Sequence, residues 1–323
     1  MMIPPKVSVV MPVYNASRFV AQAIESILCQ TFAAFEFIII DDGSTDGSLS
    51  VIQHYAQQDN RIVVISNPTN IGLIAALNSG IQIASTDFIA RLDADDVALP
   101  MRLALQYQFL STQKDYGLVA AMVTCIDTNS QPKHLNFLYR TFDMQHLAAH
   151  TDTAKAMLVW LCAFTHSSVM FRKSYLDGKL YQKAYYVIED HEIWWRMAQG
   201  HRTIALPQVL VSYRMHQQST STVLKEAQKS SLIPFVKEQL AHIGIVATER
   251  EVLVHASINT GDYGASNYQI RLGEYLRWIV KMKLHNKNTL FTSVAAFDEV
   301  ANFLSKRITA LYISRKIRRF FKV

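Results

Sequence analysis

The amino-acid sequence predicts an α/β fold in which a mostly parallel central sheet is flanked by helices. In the N-terminal part, short apolar runs rich in β-branched side chains alternate with segments whose apolar residues recur at helical spacing. The runs are apolar at nearly every position, as in strands that are buried on both faces. Half of the 323 residues are hydrophobic and 18% are charged, which suffices for one large core or two modest ones and excludes a disordered chain.

The elements follow one another as strand, helix, strand. The predicted strands cover residues 7–11, 35–40, 61–65 and 88–92, and the predicted helices cover residues 19–28, 44–55 and 71–84. Asn15 and Ser17 are candidate caps of the first helix, and Ser44 or Thr45 is the candidate cap of the second, because their side-chain oxygens accept hydrogen bonds from a first turn. Parallel sheets bind ligands at the carboxyl ends of their strands, so the polar residues that follow each run are the first candidates for a site.

The charge is unevenly distributed along the chain, whose formal net charge is +6. Residues 1–222 hold 16 Lys and Arg against 18 Asp and Glu, a net charge of −2, whereas residues 223–323 hold 16 against 8, a net charge of +8. From about residue 225 onward, polar helical patterns replace the strand signals. The sequence therefore predicts an α/β domain over residues 1–222 and a helical basic region over residues 223–323.

Three observations bear on location. The three cysteines, Cys29, Cys125 and Cys162, are too few and too scattered for a disulfide framework, which favours a reducing cytosol. The N-terminus lacks the pattern of a signal peptide. The most apolar stretch, residues 157–171, is interrupted by polar residues and falls short of the roughly 20 residues that a membrane span needs. We therefore expect a cytoplasmic protein without a membrane-spanning segment.

Two acidic clusters follow predicted strands. Asp41 and Asp42 open the segment DDGSTDG, where adjacent carboxylates suit ribose hydroxyls or a nucleobase edge, and the same residue types also suit a turn and helix cap. Asp93, Asp95 and Asp96 repel one another unless a cation neutralises them, and oxygen ligands suit Mg²⁺ or Mn²⁺. The alternative for this second cluster is a solvated acidic turn.

Two further clusters lie later in the chain. Glu189 and Asp190 stand at the start of a helix-like segment, where one of them can act as a general base or both can complement the helix dipole. Arg214 and His216 suit phosphate contact or metal ligation, and a purely structural histidine is the alternative. Neither cluster is specific when considered alone.

In this order and spacing, the clusters resemble those of family 2 inverting glycosyltransferases, which use nucleotide-sugar donors, have the GT-A fold and often build bacterial surface glycans. The resemblance covers about residues 5–222. It is carried by the segments VVMPVYN (9–15), SILCQTF (26–32), DDGSTDG (41–47), NIG (70–72), ALNSG (76–80), ARLDADD (90–96) with Pro100, HSS (166–168), EDHEIWWR (189–196) and YRMH (213–216). Each segment alone is weak evidence, whereas the ordered set is specific for the family.

The resemblance implies a nucleotide-sugar pocket. Its expected residues are Pro12, Val13, Tyr14, Asn15, Asp41, Asp42, Asn70, Arg91, Asp93, Ala94 and Arg214. By the resemblance, Asp42, with Asp41 beside it, reads the base, commonly uracil. Asp93 is expected near the ribose and diphosphate, and Arg214 is expected to assist at the diphosphate.

The resemblance also implies a metal and a base. A divalent cation, Mn²⁺ or Mg²⁺, is expected at Asp95 and His216, where it offsets charge on the leaving diphosphate. Asp190 is the expected general base for an acceptor hydroxyl, with Glu189 as the fallback. The implied partners are a UDP-linked donor and a glycan or lipid-linked acceptor in surface polysaccharide or lipopolysaccharide synthesis.

Other classes of protein fit the sequence less well. A phosphatase of the haloacid dehalogenase type would use Asp93 as nucleophile, but its motif usually opens the first strand. A nucleotidyltransferase would carry a Gly-rich, basic loop after the first strand, and a dinucleotide oxidoreductase would carry GxGxxG; the sequence has neither. A non-catalytic sugar-nucleotide binding domain stays open, although the retained acids argue against it.

The end of the chain is basic and amphipathic. Residues 306–323 hold seven basic residues and no acid. The preceding apolar residues at helical spacing are Phe297, Val300, Leu304, Ile308 and Leu311. Such a helix can lie peripherally on an anionic membrane at the inner face of the plasma membrane, or it can pack its apolar stripe onto the catalytic domain. Because no recognition motif accompanies the charge, a nucleic-acid partner is not expected.

Overall fold

The computed structural model describes residues 3–133, 147–217, 225–260, 270–289 and 291–321. An eight-stranded sheet forms the centre of this part of the chain, in the order β3-β2-β1-β4-β7-β6-β8-β5. The strands are β1 (Val7–Val13), β2 (Phe35–Asp41), β3 (Ile62–Ser66), β4 (Phe88–Arg91), β5 (Val97–Ala98), β6 (Tyr116–Ile126), β7 (Met170–Arg172) and β8 (Arg202–Arg214).

The mostly parallel sheet predicted from the sequence is confirmed. Strands β3, β2, β1 and β4 are all parallel, with Val10 of β1 opposite Ile38 of β2 on one side and Arg91 of β4 on the other. Strand β7 is antiparallel to both β4 and β6, β6 and β8 are parallel, and β5 is antiparallel to β8. The carboxyl ends of β1, β2 and β4 therefore share one edge of the sheet.

Helices cover both faces of the sheet. They are α1 (Val20–Leu28), α2 (Ser48–Gln58), α3 (Leu73–Ile83), α4 (Arg102–Thr112), α5 (Thr151–Trp160), α6 (Glu189–Gly200), α7 (Lys225–His242), α8 (Glu249–Thr260), α9 (Leu272–Thr289) and α10 (Val294–Phe321). Alternate side chains of β1 enter opposite layers, as a pleated strand requires. Val9 belongs to one apolar cluster with Ile24 and Leu103, whereas Val10 belongs to the other with Leu77.

The predicted helix caps are wrong. Helix α1 begins after Phe19 and α2 begins at Ser48, and neither has a side-chain cap. Asn15, at φ 50°, instead connects two loops: its backbone N–H donates to Ser44 Oγ (3.0 Å), and its Oδ1 accepts from the backbone N–H of Thr45 (2.8 Å). These polar residues therefore build the rim of the carboxyl edge, because the loops after β1 and β2 are close enough to satisfy each other.

The C-terminal helices share an apolar core with the α/β part. All five residues of the predicted apolar stripe are at most 2% exposed, and the rings of Phe297 and Trp160 lie 5.7 Å apart between centroids. The stripe therefore packs against the protein, as in the second of the two interpretations above. The domain boundary predicted at residue 222 lies outside the described residues, so that division stays a prediction. Within the described ranges, no helix is long and apolar enough to cross a bilayer.

Candidate active site

The loops after β1, β2 and β4 meet at the carboxyl edge of the sheet. The backbone N–H of Asp42 donates to the carbonyl of Val13 (2.8 Å), and that of Leu92 donates to the carbonyl of Val10 (3.2 Å). The structure therefore brings the predicted segments 12–15, 41–42 and 91–96 together, although they are far apart along the chain.

Asp42 holds the loop that precedes α3. Its Oδ1 accepts from Asn67 Nδ2 (2.8 Å) and from the backbone N–H of Ile71 (2.9 Å), and its Oδ2 accepts from the backbone N–H of Gly72 (2.9 Å). The carboxylate is 2% exposed. Its acceptor positions are thus occupied by the protein, which leaves little capacity for reading a base.

Gly43 allows the same loop to approach. Its φ is +70°, and a Cβ at this position would lie 2.5 Å from the carbonyl carbon of Thr69 and 2.6 Å from the backbone nitrogen of Asn70. No side chain fits at such distances, and L-residues disfavour this φ. The glycine therefore permits direct contact between the turn after β2 and the loop that carries Asn70.

Asp41, unlike Asp42, has a carboxylate oxygen without a hydrogen-bond donor among the described residues. It is 1% exposed, and its Oδ1 has no hydrogen-bond partner among the described residues, while its Oδ2 lies 3.4 Å from the backbone N–H of Ser44. A buried carboxylate oxygen without a donor is costly, so it is the natural acceptor for an N–H of a ligand. The structure therefore favours Asp41 over Asp42 as the acceptor for a ligand.

The remaining predicted pocket residues divide by exposure. Pro12 and Val13 are buried within β1, so they present backbone at most. Tyr14 is 52% exposed, and Asn15 and Asn70 are also exposed. These three residues form the accessible rim next to the Asp41–Asp42 turn.

The acidic run after β4 forms a cluster. One carboxylate oxygen from each of Asp93, Asp95 and Asp96 lies within 4.8 Å of the others. Arg91, which is 2% exposed, pairs with Asp93, and Ser167 Oγ donates to Asp93 Oδ2 (2.8 Å). Burial alone would lower the pKa of Arg91, but Asp93 outweighs it and raises that pKa. Arg91 therefore orients Asp93 from inside the protein.

Asp96 belongs to the predicted acidic cluster, although the family resemblance assigned it no role in the site. It is fully buried, its Oδ1 accepts from the backbone N–H of Arg214 (2.7 Å), and its Oδ2 has no partner in the described part of the chain. Burial, followed by the charges of Asp95 and Asp93, raises its pKa well above the usual range. A cation would relieve this cost, and the third acid of the run was the available signal.

His216 reaches the acidic cluster as predicted. Its Nε2 lies 2.8 Å from Asp95 Oδ2, and its ring lies 5.2 Å from that of Phe19 between centroids. A carboxylate-rich set of hard oxygen donors beside an imidazole nitrogen fits Mg²⁺ or Mn²⁺. The residues present are thus chemically suited to the divalent cation that the resemblance implies.

Arg214 is buried, and the protein itself binds its guanidinium group. Its Nε donates to the carbonyl of Asp95 (2.7 Å), its Nη1 to the carbonyl of Asp127 (2.8 Å) and to Ser130 Oγ (3.1 Å), and its Nη2 to Gln22 Oε1 (2.6 Å). The residue is 1% exposed. The predicted diphosphate contact is corrected accordingly: Arg214 braces the acidic turn from behind, because every guanidinium nitrogen already has a protein acceptor.

Glu189 and Asp190 occupy the first turn of α6, as predicted. Burial, followed by the charge of Asp190, raises the pKa of Glu189 to about 7, and its Oε2 has no partner among the described residues. Asp190 is half-buried, and burial raises its pKa as well. The charge of Arg91 lowers both pKa values and that of Asp93 raises the pKa of Asp190, so the two acidic sites are close enough to interact electrostatically.

The Asp190 carboxylate has a contact that the sequence did not signal. Its Oδ2 lies 3.5 Å from the thiol of Cys162, which also donates to the carbonyl of Phe164 (3.3 Å). Its Oδ1 accepts from the backbone N–H of His191 (2.7 Å). All three cysteines are free.

Comparison with known proteins identifies the class. The sequence profile described as "Glycosyl transferase family 2" matches residues 8–178, which is more than half of the chain. The O-antigen biosynthesis glycosyltransferase WbnJ of Escherichia coli is 30% identical over 244 residues, or 72% of this chain and 90% of WbnJ. The chain therefore belongs to glycosyl transferase family 2 and is a glycosyltransferase, which removes the phosphatase and oxidoreductase alternatives.

Two solved structures share the fold. S. aureus TarS 1-349, determined in complex with UDP-GlcNAc, superposes with a TM-score of 0.62 at 15% identity, covering 96% of this chain and 91% of that one. The mannosyltransferase PcManGT from Pyrobaculum calidifontis, determined in complex with GDP-Man and Mn²⁺, superposes with a TM-score of 0.59 at 16% identity, covering 94% and 87%. The expected GT-A fold is thereby confirmed.

Proposed function

We propose that the chain transfers a sugar from a nucleotide-diphosphate donor, with uridine as the nucleotide, to a hydroxyl of a glycan or lipid-linked acceptor, with inversion at the anomeric carbon. One observation carries the proposal: a half-buried carboxylate, Asp190, lies within electrostatic range of Asp93, a member of the Asp93–Asp96 acidic cluster. The complexes named for TarS and PcManGT support a nucleotide-sugar donor. The name of WbnJ supports a role in bacterial surface polysaccharide synthesis.

The base of the donor would bind beside the turn after β2. Asp41 Oδ1, buried and without a donor among the described residues, would accept an N–H of the base, and a uracil ring offers one. Tyr14 and Asn70 form the accessible rim. In this proposal Asp41 reads the base, while Asp42 holds the loop in which Asn70 lies.

The diphosphate end of the donor would lie at the acidic cluster. Asp93, Asp95, Asp96 and His216 would hold a divalent cation, Mn²⁺ or Mg²⁺. When bound, such a cation stabilises the negative charge of a departing diphosphate. Arg91 and Ser167 keep Asp93 in place through the contacts described above.

Asp190 would act as the general base. Burial raises the pKa of its carboxyl group, which makes the carboxylate a stronger proton acceptor. It would take the proton of the acceptor hydroxyl as that oxygen attacks the anomeric carbon from the face opposite the diphosphate. A single displacement inverts the configuration, so an α-linked donor would give a β-glycoside. Glu189 lies deeper, at 6% exposure, and is less accessible to an acceptor.

The substitution Asp190→Asn tests this assignment. It keeps the shape of the side chain but removes its basicity, so we expect donor affinity to persist while transfer falls by about 10²–10⁴-fold. Release of nucleoside diphosphate would be measured with a panel of nucleotide sugars, Mn²⁺ and a glycan acceptor, and donor binding by calorimetry. Glu189→Gln is the matched control. Near-wild-type turnover of Asp190→Asn would refute the role of Asp190.

We also propose that the basic end of the chain contacts an anionic membrane from the cytoplasmic side. Residues 315–322 hold five basic residues and no acid, and their side chains lie outside the described part of the structure. Because the apolar stripe of α10 up to Leu311 is buried, the proposal depends on charge rather than on that stripe.

A further inference from the structure

The end of helix α5 is held by side chains from other helices. Near a helix end the carbonyls lack intrahelical partners, and here Leu158 and Val159 find side-chain donors instead. The carbonyl of Leu158 accepts from His191 Nε2 (2.8 Å) and from Gln239 Nε2 (3.0 Å). The carbonyl of Val159 accepts from His255 Nε2 (2.7 Å). Two of these three donors, Gln239 and His255, belong to the C-terminal helices α7 and α8.

The contacts define the tautomer of both imidazoles. A carbonyl only accepts, so Nε2 carries the hydrogen in each ring and Nδ1 keeps its lone pair. Asn259 Nδ2 lies 3.2 Å from Nδ1 of His191, and Trp278 Nε1 donates to Nδ1 of His255 (3.1 Å). Burial lowers the pKa of each histidine to about 4, so both are neutral near pH 7. Each ring is therefore fixed at both nitrogens.

His191 contacts the Asp190 carboxylate directly, and His255 packs on the end of the helix that leads to its other partner. His191 follows Asp190 directly, and its backbone N–H donates to Asp190 Oδ1. Helix α5 leads within two residues to Cys162, whose thiol contacts Asp190 Oδ2. The ring of Trp160, at the end of α5, stacks on His255 with 5.1 Å between centroids and 10° between planes. A shift of either imidazole would thus move a partner of Asp190.

We propose that His191 and His255, the histidine pair, are positioning residues through which helices α8 and α9 set the orientation of the Asp190 carboxylate. This inference depends on the proposed role of Asp190 as base. It gives the C-terminal helices a part in the reaction besides any contact with an acceptor or membrane. The physical reason is that a buried polar network rigidifies its surroundings when every member has a partner, and loosens them when one partner is lost.

Two substitutions remove the outer donors and leave both histidines unchanged in the sequence. Asn259→Leu and Trp278→Phe each delete the N–H that meets Nδ1. Tyr275→Phe is the matched control, because it deletes a buried hydroxyl whose hydrogen-bond partner at 2.7 Å is Ser257 Oγ rather than an imidazole nitrogen, and which so joins helices α8 and α9. Melting temperature reports the structural cost that all three variants share.

We expect kcat of both test variants to fall about tenfold or more, because misplacing a catalytic group by a fraction of an ångström slows the reaction. KM and Kd for the donor should stay within about twofold of wild type, since the donor pocket is not altered. Tyr275→Phe should lower the melting temperature by a similar amount and leave kcat within about twofold. If the test variants keep the kcat of this control, the inference is overturned.

A second measurement does not depend on activity. In a Cys29→Ser background, iodoacetamide alkylation of Cys162, followed by mass spectrometry of the peptide, reports exposure next to Asp190, while the buried Cys125 serves as reference. We expect faster alkylation of Cys162 in Asn259→Leu and Trp278→Phe than in Tyr275→Phe. If Asp190→Asn retains turnover, the proposed base is wrong, and only the alkylation rates then test the positioning role of the histidine pair. If Cys162 is alkylated no faster in Asn259→Leu and Trp278→Phe than in Tyr275→Phe, the inference is overturned.

Discussion

Asp42→Asn separates a structural role of the Asp41–Asp42 turn from a ligand-binding one. The substitution replaces Oδ2 by an amide nitrogen, which then faces the backbone N–H of Gly72 across 2.9 Å. Two donors meet, so neither is satisfied. The bonds from Asn67 and Ile71 to Oδ1 can persist, but they lose the strength that the carboxylate charge gives them.

The expected cost follows from these contacts. Losing one hydrogen bond to a charged group costs about 1.5–3 kcal/mol, and the N–H that is left buried and unpaired adds about 1–3 kcal/mol. We therefore expect Asp42→Asn to lower the free energy of unfolding by about 2.5–6 kcal/mol. Asp41→Asn removes one long contact at 3.4 Å and leaves Oδ1 or its replacement without a protein partner, so its structural cost should be smaller.

Denaturant unfolding of both variants, with UDP binding measured by calorimetry, tests the distinction. We expect Asp42→Asn to be the less stable variant and Asp41→Asn to bind UDP more weakly, because an amide placed with its nitrogen toward the base no longer accepts. The reasoning is refuted if Asp42→Asn unfolds like wild type and loses UDP binding, while Asp41→Asn keeps it. That outcome would return base recognition to Asp42.

Two further predictions concern the cation and the membrane. Asp95→Ala should abolish the gain in donor affinity that Mn²⁺ gives. The control Asp115→Ala, which changes an exposed aspartate directly before β6, should preserve that gain. Equal Mn²⁺ dependence of donor binding in calorimetry of both variants would contradict the cation site. Changing Arg315, Lys316, Arg318 and Arg319 to Gln should reduce co-sedimentation with phosphatidylglycerol-containing vesicles, because each positive charge near such a surface contributes about 1 kcal/mol. The control Lys237→Gln should leave co-sedimentation unchanged. Unchanged co-sedimentation of the fourfold variant would exclude the charge-based contact.

Much of the fold could be read from local patterns. The four predicted strands agree with β1 to β4 within two residues at each end, because apolar β-branched runs have few alternatives to a buried strand. The acids at the start of α6 were also placed correctly. The caps were wrong, because Asn15 and Ser44 hydrogen-bond across two loops rather than within a helix. Local propensity cannot anticipate a partner 29 residues away.

In the candidate site too, the sequence predicted which residues matter but not what each of them contacts. The motifs indicated which acids to consider, but not which of their oxygens the protein itself occupies. The loop before α3 donates hydrogen bonds to the carboxylate of Asp42, and four acceptors around the acidic turn bind the guanidinium of Arg214. Asp96 is fully buried. Residue type and spacing are equally compatible with a ligand contact and a structural one, so only the positions of neighbouring atoms distinguish them.

The sequence by itself determined the sheet-forming runs, the family and the ordered acidic motifs, because each depends on residue type and spacing along the chain. Only the tertiary structure decided that the apolar stripe of α10 is core rather than surface, and that Asp95 meets His216 across 121 residues of sequence. It also placed Asn259 against the ring of His191, whose backbone N–H donates to Asp190, and Trp278 against the ring of His255. These are contacts between distant segments, and their energies depend on how the chain folds back on itself rather than on any local pattern.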